Sequence, residues 1–325
     1  MKYINLRSKL GHREFVPFVL LVIVFLVSMF LSSNFRDLAY LLRTSNRYME
    51  LALTSLTMTL IITAGMIDLS VPAVMSCSAT IMAVLFHSGC PFGLALLAGL
   101  LTGAVCGLIN GGLIAYLKLP AMIVTIGTMN LFRGVSQIFI GDKSLGNFPE
   151  WFNALDSITV FRIFGARVSV TLVFFLIMVF VFYLLLHRTR FGRTIFAIGA
   201  NEQAAIYSGV NAKRVKLGLF LTSGILSAIA GLLTVSRLLL VQYTLALNTE
   251  VDIVIMVLLG GADINGGRGS IIGTFIAVIL VIILKTGLIV ANITTETQMF
   301  VMGLILLVSI IIPNVSAMMR EMKDK

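Results

Sequence analysis

Charged residues are scarce in this 325-residue chain: 12% are Asp, Glu, Lys or Arg, against roughly 25% in an ordinary soluble domain. With 58% hydrophobic residues and a mean hydropathy of +1.04, too little polar surface is left to coat a water-soluble particle of this size. Cysteine and histidine are scarcer still. Cys77, Cys90 and Cys106 lie in apolar sequence without paired or ligand spacing, so they read as small hydrophobes in helix interfaces. His12, His87 and His187 are scattered, with no acidic or cysteine neighbour at ligand spacing, and no metal site is expected. Enzyme signatures are missing as well, with no H-E-x-x-H and no G-x-S-x-G. Gly261 and Gly266 have the spacing of the two P-loop glycines, but Gly267 stands where the lysine belongs. Gly267, Arg268, Gly269 and Gly273 miss the dinucleotide fingerprint by one residue. The chain is therefore not expected to be an enzyme, and any ATP-driven work would fall to a partner.

What is present is apolar sequence in long runs, at 16–31, 48–65, 71–88, 92–117, 121–140, 168–187, 216–240, 250–262, 271–291 and 297–313. At about 20 residues per crossing, these make about ten transmembrane helices, with 250–262 too short to be a sure span alone. Nine spans, or a re-entrant piece there, is the alternative. The expected fold is an all-α integral membrane protein, a single domain over 1–325 with 15–313 embedded in the bilayer. Lys2, Arg7, Lys9 and Arg13 ahead of an apolar core also describe a signal peptide. The run from Phe15 to Leu31 is long and no small-x-small site follows it closely, so an uncleaved first span is expected.

Cytoplasmic loops carry the excess of Lys and Arg. With the N-terminus inside, that side collects Lys2, Arg7, Lys9, Arg13, Lys118, Arg188, Arg190, Arg193, Lys213, Arg214, Lys216, Arg268, Arg320, Lys323 and Lys325. The outside collects Arg36, Arg43, Arg47, Lys143, Arg162 and Arg167. Both termini are thus expected in the cytoplasm, and the net charge of +10 follows from topology without any nucleic acid partner. Two loops are long: an outer one at 141–167, containing Trp151, and an inner one at 188–215.

Within the spans, Gly99, Gly103, Gly107 and Gly111 share one helix face, as do Ser223, Ser227 and Gly231. Small residues at this spacing let helix backbones approach closely, and packing within the chain is favoured over a subunit interface. Arg133, Arg237 and Lys285 fall inside apolar segments, towards their outer ends. Snorkelling to the interface, or contact with an external protein, is the favoured reading over a solute site. Neutral polar groups, among them Asn110, Thr125 and Asn130, could hydrogen-bond a hydroxylated solute or equally a neighbouring helix. Two glycine-containing breaks interrupt the apolar pattern. One holds Gly65, Asp68, Ser70 and Pro72; the other runs from Gly260 and Gly261 through Asp263 to Ser270. Asp68 or Ser70, and Ser270, are expected to cap the helices that follow, with Pro72 in a tolerated first turn. Breaks at corresponding places in two halves suggest an internal repeat of discontinuous helices, the mark of many transporters. Structural turns at the cytoplasmic mouth are favoured over direct solute contact.

In the inner loop, Asn201 is suited to cap a short helix, Glu202 complements its positive end, and Gly209 is suited to stop it. Such an element is either a docking helix for another protein or a surface connector. Thr189, Gly192, Arg193, Ala197, Ile198, Gly199, Asn201, Ala204, Ala205, Ser208 and Gly209 together resemble the cytoplasmic coupling segment of the ribose/xylose/rhamnose-type ABC importer permeases, of the branched binding-protein-dependent transport family. Two further stretches carry the same likeness: Ala64 through Pro72, and Gly260, Gly261, Gly266, Gly267, Gly269 and Ser270. Ala64, Met66 and Pro72 depart from the family's usual turn, which bears on sugar specificity. The resemblance runs over about 45–312. It implies a bacterial inner-membrane permease that works with ABC ATPase subunits, a second permease copy or a sister permease, and a periplasmic solute-binding protein docking near 141–167. It implies that ATP and Mg sit on the ATPase and that this chain holds no cofactor. It implies a small sugar or sugar-like solute, and an ATPase-coupling role for Gly192, Arg193, Gly199, Asn201, Ala204, Ala205, Ser208 and Gly209. Asp68, Ser70, Asn110, Thr125, Asn130, Gly260 and Gly261 are the candidates for the translocation path or its gate. The rival is an ion-coupled secondary transporter, for which Asp252 is the residue of most concern.

Overall fold

The computed structural model describes residues 14–307 and 311. The basic clusters at 2–13 and 320–325, His12 and the end of the last apolar run lie outside the described residues. The helices are α1 (Phe15–Leu31), α2 (Leu38–Ser45), α3 (Met49–Thr63), α4 (Val71–His87), α5 (Phe92–Ala115), α6 (Ala121–Ile140), α7 (Glu150–Asn153), α8 (Val170–Arg188), α9 (Arg190–Ala200), α10 (Glu202–Tyr207), α11 (Ala212–Leu238), α12 (Glu250–Leu259), α13 (Ile271–Val290) and α14 (Thr295–Leu307). Five of them, α5, α6, α8, α11 and α13, are long and apolar enough to cross a membrane, and α1, α4 and α14 contain shorter apolar stretches. The chain is thus a largely helical membrane protein whose apolar helices begin and end close to the expected runs, while α2, α7 and α9 lie outside those runs.

α3 is the central helix, buried along nearly its whole length. Its hydroxyls do not need water there. Thr54, Ser55, Thr57, Thr59 and Thr63 each donate to a carbonyl three or four residues back, and Thr59 and Thr274 of α13 share a 2.8 Å bond. The glycine stripe of α5 is a seam within the chain. A Cβ at Gly103 or Gly107 would overlap backbone atoms of α11, and one at Gly99 would press on Ser78 of α4. Cys77 and Cys106 pack with Phe132 as apolar side chains between α4, α5 and α6.

The short α12 has 10 residues, about 15 Å at 1.5 Å per residue, or half the hydrocarbon thickness. The irregular segment 239–249 leads into it, and its backbone is satisfied by protein groups. Arg133 Nη1 donates to Tyr243 O (2.6 Å) and Leu245 O (2.7 Å), and Ser76 Oγ donates to Tyr243 O (3.0 Å). This corrects the snorkelling reading. Arg133 caps a non-helical segment, Arg237 pairs with Glu50 at 2.9 Å, and Lys285 pairs with Asp252 while lying 6.0 Å from the Tyr48 ring. The carboxylates come from α3 and α12, which sequence spacing alone does not bring beside α11 and α13.

The outer segment 141–167 is also more than a loop, and it adds a small two-stranded sheet to the otherwise helical fold. After α7 it forms an antiparallel hairpin, β1 (Thr159–Ile163) with β2 (Ala166–Ser169), turning at Phe164 and Gly165 with positive φ. Phe164 is 97% exposed at the tip. Beneath the hairpin, burial raises the Asp156 carboxyl above its ordinary range, against the opposing pull of Arg237 and a hydrogen bond from Thr171.

Candidate functional site: the inner loop and the two helix breaks

α8 hands over to α9 at Thr189, whose Oγ1 donates to Leu185 O (2.6 Å) and accepts from Gly192 N (3.1 Å). Gly192 has no room for a side chain, since a Cβ there would overlap Leu186 O. α9 is amphipathic: Ile195 and Ile198 are buried, while Arg193 faces out. Asn201 then caps α10 as its chemistry predicts, its Oδ1 accepting from Ala204 N at 3.0 Å. Glu202 pairs with Lys216 of α11 at 2.6 Å. The helix ends where Gly209 N bonds Ile206 O (2.9 Å) and Val210 N bonds Ala205 O (3.0 Å).

The two faces of this element differ. Ala205 is buried against Ile198 and Ala212, and so holds α10 on the bundle. Ala204, Ile206, Tyr207 and Ser208 are exposed, Tyr207 to 87%. Tyr207 and Ile206 are the residues that motif reading passes over; the only cue for them is helical spacing from the buried Ala205.

The two breaks are built alike. α3 ends with Gly65 N bonding Ile62 O (2.9 Å) and Met66 N bonding Ile61 O (3.1 Å). α12 ends with Gly261 N bonding Leu258 O (3.0 Å) and Ala262 N bonding Val257 O (3.3 Å). Gly65 and Gly261 sit at φ +79° and +87°, where a side chain would be strained. Each break then has an aspartate accepting the amide two residues on: Asp68 from Ser70 N (3.0 Å), Asp263 from Asn265 N (3.1 Å). Ser270 caps α13 through Gly273 N (3.1 Å), whereas Ser70 makes no cap and its hydroxyl serves Asp68. Gly260 lies against Gly273 and Thr274, where a Cβ would overlap backbone.

α9 delivers Gly199 to the place where the breaks meet. Gly267 N donates to Thr63 O (2.8 Å), joining the second break to the end of α3. A Cβ on Gly199 would overlap both Thr63 O and Gly267 N, and one on Gly266 would lie 2.8 Å from Gly199 O. The backbones of α3, α9 and the 260–270 break therefore touch at one point, an arrangement only glycines permit. Of its members, Gly65, Gly266 and Gly267 belong to matched motifs, while Thr63 carries no sequence signal of its role.

Asp68 anchors a second, fully buried cluster. Its Oδ1 accepts from Ser70 Oγ (2.6 Å) and its Oδ2 from Ser223 Oγ of α11 (2.9 Å). Asn110 Nδ2 of α5 donates to Ser70 Oγ (2.8 Å), and Thr125 Oγ1 of α6 donates to Ile67 O (3.3 Å). Asp68, Ser70, Asn110 and Thr125 are thus brought together, and Ser223 is the partner that reads in sequence only as a small packing residue. The Asn110 side-chain oxygen is buried without a partner among the described residues. Asn130 lies apart, exposed on α6 and bonded to Ile126 O (3.1 Å). Among the described residues, no group of three His, Cys, Asp or Glu is arranged to hold a metal ion.

Comparison with known proteins accords with this architecture. The family model described as branched-chain amino acid transport system / permease component matches residues 40–310. Autoinducer 2 import system permease protein LsrD of Escherichia coli (strain SMS-3-5 / SECEC) is 36% identical over 294 residues, 89% of this chain and 88% of that protein. LsrD of Escherichia coli K12 and of Shigella flexneri match to the same extent. No solved structure matches the chain. With its apolar spans, its paired breaks and a family match over most of its length, the chain belongs to the branched-chain amino acid transport system permease family, the inner-membrane permeases of binding-protein-dependent ABC importers.

Proposed function

We propose that this permease carries a small sugar or sugar-like solute inward, driven by ATP hydrolysis on partner ATPase subunits that press on α10. The observation that carries the reading is the triple backbone contact at Gly199. α10 is fixed to α9 through Ala205, so a push on the exposed Tyr207 face reaches both helix breaks without passing through a flexible linker. In this reading ATP and Mg are held by the ATPase, and the chain itself needs no cofactor. A second permease copy or sister permease completes the path. The exposed α6 face with Asn130 and Gln137 supports that arrangement, because uncovered amides at membrane depth favour a wet path over lipid. The Asp68 cluster acts as a lock between α4, α5 and α11 at the inner mouth. The apolar hairpin tip at Phe164 is suited to meet a periplasmic binding protein. The relatives' autoinducer 2 makes a furanosyl signalling molecule one solute to try, beside pentoses and deoxyhexoses.

One observation favours a second reading, ion-coupled transport: Asp68 is a buried carboxylate with no ion pair among the described residues. Asp252, the residue of concern in the sequence, is paired with Lys285 and is less suited to that role. Proteoliposomes holding the co-purified assembly decide between them. ATP-dependent uptake that persists without ion gradients supports the importer, and gradient-driven uptake without ATP overturns it.

A further inference from the structure

A cavity of about 230 Å³ lies between α2, the start of α8 and α13, on the outer side of the bundle. Its floor is apolar: Phe175, Phe275, Val278, Ile279 and Ile282. Its upper wall is different. Thr44 and Ser45 of α2 line it, together with Thr286 of α13, one turn from that helix's outer end. Thr286 is 3% exposed, and its Oγ1 has no hydrogen-bond partner among the described residues. A hydroxyl left unpaired in such a place is costly unless something else supplies an acceptor. Leu176, 44% exposed, stands at the side where the cavity meets the outer surface of the bundle.

Above the cavity the surface is cationic. Arg36, Arg43 and Arg47 are exposed along the segment that includes α2, and Arg167 is exposed on β2, which packs on α2. None of the four is in an ion pair among the described residues. The only acidic neighbour on that stretch, Asp37, is occupied in capping α2 through Ala39 N at 2.9 Å. Going inward, the site therefore presents fixed positive charge, then hydroxyls, then an apolar slot. That order matches the phosphate, ester carbonyl and acyl chain of a phospholipid.

We propose that this cavity is a binding site for one anionic phospholipid of the outer leaflet, with an acyl chain in the slot and an ester carbonyl accepting from Thr286. An acyl chain gains no hydrophobic energy on moving from lipid into a protein slot. Selectivity must then come from the polar rim and the arginines, each worth about 1 kcal/mol, or about fivefold, towards an anionic lipid surface.

The test takes the purified assembly through nanodiscs of equal phosphatidylglycerol and phosphatidylethanolamine, strips it in mild detergent, and identifies retained lipid by mass spectrometry. Wild type is expected to retain phosphatidylglycerol selectively. Arg43→Gln with Arg47→Gln, both on exposed positions, should lower the preference about 25-fold by the same per-arginine figure. Ile279→Trp, which fills the slot, should abolish retention of either lipid. Because that variant also strains the core, the arginine pair provides an independent arm. Equal retention of both lipids by wild type, unchanged selectivity in the arginine variant, or cross-linking of Leu176→Cys to a second copy of the chain would each overturn the proposal. Transport activity enters none of these readouts, so the lipid site stands or falls apart from the importer reading.

Discussion

Gly199 and Tyr207 lie eight positions apart in the same inner loop, and their substitutions should have opposite signatures. A side chain at Gly199 must displace backbone at Thr63 and Gly267, so Gly199→Val should lower stability by about 1–3 kcal/mol or more, read as a fall in thermal midpoint of the purified protein. Tyr207 touches little of its own chain, so Tyr207→Ala should stay within about 0.5 kcal/mol of wild type while uptake is lost. The loop's motif places both residues in one segment. It does not say that Gly199 and Ala205 face the bundle while Tyr207 faces out, because that depends on which side α3 and α11 occupy. Ser223 is a similar case: its spacing predicts packing, and its second role, donating to Asp68, arises only from a contact 155 residues away. The local chemistry of Asn201, by contrast, was fully legible, since a cap is made within three residues.

At the scale of helices, apolar runs predict where each apolar helix lies to within a few residues, because the bilayer sets a common length and punishes charge, but they pass over the short α2, α7 and α9. What those runs do not reveal is which charges answer each other. Asp252 on α12 and Lys285 on α13 meet as a largely buried pair, and α12 is short enough that its acidic first turn comes level with that lysine. Removing one partner leaves a charge uncompensated, so Lys285→Met should cost about 3–5 kcal/mol, whereas Lys285→Met with Asp252→Leu should recover most of it. Thermal scans of the two singles and the double variant check this through their coupling. Loss of stability that simply adds in the double variant would mean the pair is incidental. The outer hairpin was equally hidden: β1 and β2 are too short for alternation to stand out from an ordinary polar loop.

For the whole molecule, the inner loop, the two breaks and the Asp68 cluster form one continuous set of contacts on the side assigned to the cytoplasm. α3, α4, α5, α6, α9, α11, α12 and α13 all contribute to it. α9 is thereby fastened both to the end of α3 and to the break that follows α12. The most direct measurement is to purify the chain from native membranes in mild detergent, as wild type and as Tyr207→Asp, and to identify what comes with it. A stoichiometric ATPase subunit is expected with wild type, and its loss is expected with Tyr207→Asp at an unchanged thermal midpoint. A chain that purifies alone in both forms, and still moves solute in vesicles without ATP, would contradict it.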